Sequence, residues 1–151
     1  MLKTVILSLV FAMNCVYAQQ TTVRKTPIMI PQYVQLTNTN NAWKTHVWGG
    51  VESQSIMMSI SPQNSKENQT GSETLDMDKY IIVTSGKANA IIEGQETTLS
   101  QGDMIFIPKQ YTHNIVNLNT DQPLKLFIIT SKFYMPRTTF MTQEDEIKAK
   151  Q

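Results

Sequence analysis

The sequence is poor in the residues that most often announce a function. It has a single cysteine, Cys15, and only two histidines, His46 and His113. One cysteine excludes an internal disulfide framework. Two imidazoles mean that any metal site would have to draw on carboxylates as well. Thirteen basic residues stand against twelve acidic ones, a formal net charge of +1, so there is no global field to steer nucleic acid or anionic lipid. No apolar run approaches the length needed to span a bilayer, and helical periodicity is almost missing.

What is there begins with a secretory pattern. Lys3 supplies a charged end, residues 5–12 form a short apolar run, and Val16-Tyr17-Ala18 is a small-residue cleavage site. Residues 1–18 are therefore expected to be a signal peptide, and the protein is expected to be exported, to the periplasm or outside the cell. Cleavage after Ala18 would remove Cys15 and Lys3, leaving twelve bases and twelve acids. Anchoring through a lipid on Cys15 is disfavoured, because Asn14 stands where lipoprotein processing prefers a small residue.

Residues 19–42 read as a polar leader followed by an extended N-terminal arm at 27–36, with Pro27 and Pro31 confining it to an edge. Residues 54–60 alternate, with Ile56, Met58 and Ile60 on one face, the sign of a half-buried strand. A β-branched run at 80–84 stops at Gly86, and Glu93-Gly94 makes a hairpin turn. Gly102-Asp103 turns into an apolar run, 104–107, which Pro108 ends. A polar corner then delivers His113 onto the next strand, up to Asn117. Residues 124–130 are apolar on both faces, as a central, covered strand should be. Residues 141–151 read as a charged tail that frays or forms a short surface helix. Short strands divided by turn signals predict an all-β antiparallel barrel or sandwich over residues 43–140.

The spacing of Gly102, Pro108, His113 and Asn117 resembles the second sequence motif of the cupin superfamily. Residues 78–86 resemble the end of that family's first motif, and the hairpin at Glu93-Gly94 falls in the usual order between them. The resemblance covers roughly residues 50–135 and implies a jelly-roll barrel, the double-stranded β-helix, with a ligand pocket inside. It also implies a divalent transition metal held by two His and one Glu of the first motif and one His of the second. The sequence departs from this pattern. The first-motif region, 71–79, contains no histidine, Lys79 stands at the Glu position, and Gln110 replaces a glycine two residues after Pro108. His113, Glu73 and Asp78 are the available candidates for a metal site that has lost part of its ligand set.

His113 is also the candidate catalytic residue, as metal ligand or as general base, because imidazole gains and loses a proton near neutrality. If Tyr80 points inward, Ile82 shares its side, and Phe106 and Ile115 face the same interior. Tyr80, Ile82, Phe106, His113 and Ile115 then form the expected ligand-binding set. An interior so apolar suits a small organic ligand. The sequence thus predicts an exported small-molecule binder. The alternatives are a metal-dependent oxygenase or isomerase, and a non-catalytic protein that forms a homodimer through its N-terminal arm.

Overall fold

The computed structural model describes residues 27–132, Met135 and residues 137–151; the expected signal peptide and most of the leader lie outside the described residues. Among the described residues ten strands follow in order: β1 Lys44–Gly49, β2 Gln54–Ile60, β3 Glu73–Thr74, β4 Lys79–Ser85, β5 Lys87–Ile92, β6 Gln95–Ser100, β7 Met104–Ile107, β8 Thr112–Asn117, β9 Leu124–Thr130 and β10 Thr139–Phe140. All named pairings are antiparallel. A six-stranded sheet runs β10-β1-β2-β9-β4-β7, and a four-stranded sheet runs β3-β8-β5-β6. Their inner faces close on each other as the expected jelly-roll barrel.

Alternation sets the core. Ile56, Met58 and Ile60 of β2 point inward with Ile81 and Val83 of β4, Ile107 of β7, Ile115 of β8, and Leu124, Leu126 and Ile128 of β9. Each such side chain contributes about 1.5–3 kcal/mol when taken out of water. On the four-stranded sheet Ala88, Ala90 and Leu99 complete the layer. Strand β9 is the most covered, buried at six of seven positions between β2 and β4, as its two-sided apolarity predicts.

The turns follow their residues. Gly86 has φ +95°, a backbone that L side chains rarely adopt, so the β4–β5 corner favours glycine; a Cβ there would also displace the Asn119 side chain, whose Nδ2 would lie at 2.5 Å. Gln110, at the position where the family motif has glycine, adopts φ 67°. That is the left-handed region, which glycine enters without strain, so the corner has the backbone a glycine would suit although glutamine stands there. Asn117 is fully buried, and its amide donates to the carbonyls of Ile60, Ser61 and Gln122, tying the end of β8 to the loops around it.

Two segments differ from the sequence expectation. The arm is not extended throughout, because α1 forms at Tyr33–Thr39. Tyr33 and Thr37, four apart and on one helix face, pack on the outer face of the larger sheet. The Tyr33 ring lies 5.0 Å from that of Phe127, and Thr37 is fully buried. Packing decides here against weak local propensity. The charged tail forms α2, Gln143–Ala149, closed at its start by a reciprocal capping box of Thr142 and Asp145. It is not merely a surface helix: Glu146 is buried.

Candidate ligand site in the barrel

Between the two sheets lies a cavity of about 320 Å³. Its apolar wall is Ile56, Met58, Ile81, Ile115, Leu126 and Ile128, all side chains that alternation turns inward. Trp43, Leu75 and Met77 add to it, and α2 covers one side through Gln143, Glu146, Ile147 and Lys150. Two charged groups of residues break this apolar lining.

The first joins the two sheets. Glu73 and His113 are direct partners in the β3–β8 register, so their side chains leave the smaller sheet side by side. Lys79 starts β4 on the larger sheet, on the same inward face as Ile81 and Val83. It crosses the interior, and its Nζ donates to Glu73 Oε1 and lies 3.0 Å from His113 Nε2. Glu73 Oε1 is 3.1 Å from the same Nε2. The other ring nitrogen, Nδ1, lies 3.0 Å from the Tyr111 carbonyl, which can only accept, so Nδ1 carries the proton. Nε2 then offers its lone pair to the Lys79 ammonium. Two acceptors stand 3.1 Å apart because the ammonium binds both.

This arrangement fixes the charges. Burial alone would push the Glu73 carboxyl up, but the charge of the Lys79 ammonium and the hydrogen bond it donates draw Glu73 below the usual carboxylate range. Burial pulls the Lys79 ammonium down from the ordinary lysine value, and the charge and hydrogen bond of Glu73 oppose that pull. Lys79 is only 7% exposed. A lone ammonium there would cost several kcal/mol, and the bonds to Glu73 and His113 are what make it tolerable.

The second cluster pins α2 over the cavity. Glu146 accepts from Trp43 Nε1 at 2.9 Å, from Lys44 Nζ at 2.6 Å and from Lys150 Nζ at 2.8 Å. Burial would raise its carboxyl, but Lys44 and these hydrogen bonds bring it down to about 2. Gln143 adds a bond from its side-chain amide to the Thr70 carbonyl at 3.1 Å. Nothing in the charged tail marks Glu146 as buried beyond its i,i+4 spacing from Lys150, and sequence reasoning missed it together with Lys44 and Gln143.

The expected site residues divide. Ile115 lines the cavity, and His113 stands directly behind Glu73 and Lys79. Tyr80, Ile82 and Phe106 do not face it. Their strands are inverted relative to the expectation, so that Lys79, Ile81 and Ile107 point inward while Tyr80 and Phe106 stack 4.9 Å apart on the outer face, 38% and 48% exposed. Strands β4 and β7 are apolar on both faces, so alternation carries no phase and does not mark the aromatic face as the outer one. Asp78 is also excluded: its carboxylate accepts from the Lys109 backbone N–H at 3.0 Å, in a corner away from the cavity. Trp48 lines a separate shallow cleft with Ile28 and Ile30.

A metal in the manner of the family does not fit these residues. Only Glu73 and His113 converge, and among the described residues no group of three or more His, Cys, Asp or Glu does so. An ion about 2.1 Å from both Oε1 and Nε2, on the side facing Lys79, would overlap its Nζ. The ammonium already fills that space.

Comparison with known proteins agrees with this architecture. The family model described as "Cupin domain" matches residues 66–130. A Bacillus halodurans protein of known crystal structure is 22% identical and superposes with a TM-score of 0.74, covering 82% of this chain and 96% of its own. A cupin superfamily protein from Desulfitobacterium hafniense is 16% identical, with a TM-score of 0.57 over 74% of this chain and 99% of its own. A cupin-2 domain containing protein from Shewanella frigidimarina is 21% identical, with a TM-score of 0.51 over 72% and 95%. No curated protein matches the sequence.

Proposed function

We propose that this chain, a member of the cupin superfamily, binds a small organic molecule inside its barrel. The observation that carries this reading is the cavity of about 320 Å³, apolar over most of its wall and charged at two places. Its size lies at the lower end of the range of ligand pockets, and a few fixed polar groups in an apolar wall are what such pockets use to orient a ligand. A metal-dependent oxygenase or isomerase is less well supported, because Lys79 Nζ takes the space between His113 and Glu73. Export through residues 1–18 belongs to the same reading and rests on the sequence pattern. A homodimer through the N-terminal arm is the other reading, supported by exposed Met104, Phe106 and Tyr80 on the outer face of the sheet on which α1 packs.

A thermal-shift screen of small organic molecules of different charge tests this. A cavity ligand raises Tm by an amount that grows with the logarithm of its concentration once that exceeds the Kd. Ile147 is 52% exposed yet lines the cavity, which places it at the rim. Ile147→Trp should therefore shrink the shift, while Phe106→Ser on the outer face should leave it intact. A shift insensitive to Ile147→Trp, or no stabilising compound of any charge, contradicts the reading.

A further inference from the structure

We infer that the Lys79 ammonium is the resident cation of the barrel: it stands where this fold would hold a metal ion and presents its remaining N–H to the anionic oxygen of a small carboxylate ligand. The ligand half rests on the cavity reading above; the cation half does not.

The placement is the first reason. Glu73 comes from β3, His113 from the neighbouring β8 and Lys79 from the opposite sheet, and the three polar atoms form a closed triangle. Imidazole and carboxylate converge as metal ligands do, but on a nitrogen that belongs to the chain. A carboxylate at position 79 would add a third ligand from the same strand start. The lysine instead supplies the positive charge itself.

The donor count is the second reason. An ammonium has three N–H groups. Glu73 and His113 take two, and no other partner of Nζ is found among the described residues. Lys79 lines the cavity, so the third donor serves a ligand there. The charge balance agrees: Lys44, Lys79 and Lys150 line the cavity against Glu73 and Glu146, three ammonium groups and two carboxylates. One negative charge on a ligand neutralises the site, and the apolar wall takes the body of the molecule.

The test combines cobalt(II) as a metal probe with benzoate and its neutral counterpart benzamide as cavity probes. The wild-type protein should retain no stoichiometric cobalt after gel filtration. Lys79→Glu, which replaces the ammonium with a carboxylate beside Glu73 and His113, should bind one equivalent, show a cobalt absorption band, and rise in Tm when cobalt is added. Benzoate should stabilise the wild type at least tenfold more tightly than benzamide, and Lys79→Gln should remove that preference. One equivalent of cobalt on the wild type overturns the resident cation whether or not any variant folds. A folded Lys79→Glu that binds no cobalt overturns it as well. Equal binding of benzoate and benzamide, or a preference that survives Lys79→Gln, overturns the carboxylate assignment. Neither probe binding while cobalt behaves as expected refutes the ligand half and the cavity reading, and leaves the cation half supported.

Discussion

The two histidines of this chain are both buried, His46 fully and His113 to within 3%, yet they stand in opposite circumstances. His46 lies on β1 opposite Ile56, with the Phe140 ring edge-on at 6.0 Å. Burial first, and then the charge of Lys44, drive its ring down to about 4, so it is a neutral member of the core. His113 has Glu73 as its cross-strand partner and the Lys79 ammonium in front of it, one layer behind the cavity wall. Burial does not separate a structural histidine from a site histidine. The residues that the register sets beside it do.

The largest expected effect comes from taking away the charge that distinguishes them. Lys79→Met leaves the Glu73 carboxylate and the His113 acceptor facing each other with no donor between them. Loss of one partner of a buried pair should cost roughly 3 kcal/mol, read from the midpoint of a urea titration at neutral pH. A change below about 1 kcal/mol would mean that the ammonium does not hold the cluster together.

Acid should act through the other histidine. The His46 ring has a folded-state value of about 4 against an ordinary 6.5. The unfolded chain therefore takes up a proton that the folded chain refuses, and stability is lost as pH falls from 6.5 to 4 and not above it. The contribution is on the order of 3 kcal/mol. His46→Leu should lose that much less than the wild type over the same window, measured by denaturant titration at stepped pH. Parallel curves for the two proteins would refute a neutral core role for His46.

A smaller effect sharpens the contrast at neutral pH. His113→Leu removes the acceptor of one Lys79 N–H, and a buried donor left without its partner costs about 2 kcal/mol. In the double variant with Lys79→Met, the two losses should not add, because each breaks the same contact. Simple additivity would show that His113 and Lys79 do not interact.

Much of this fold was legible because turns and alternation are local. Gly86, Glu93-Gly94, Gly102 and Pro108 stand at the ends of strands β4 to β8, and the alternation in β2 named its inward face correctly. The site was legible only in part. Spacing placed His113 on β8 and named Glu73 as a neighbour, and the register brings them together. The same spacing puts Lys79 at the family's carboxylate position, which by itself says only that a ligand is missing there. Its role as the partner of both groups depends on a contact across the barrel, between strands of different sheets, which no local pattern encodes. Tyr80 and Phe106 misled for a related reason: strands apolar on both faces give no sign of which face is inner. Glu146 shows the limit most clearly, since a charged helix reads as solvated until Trp43 and Lys44 are seen against it.

The most direct measurement is a crystal structure of the wild-type protein grown with cobalt(II), with data collected at the cobalt absorption edge. A resident ammonium predicts continuous density from Lys79 to an Nζ between Glu73 and His113, and no anomalous peak there. An anomalous peak about 2.1 Å from His113 Nε2, with Lys79 turned away, would contradict it.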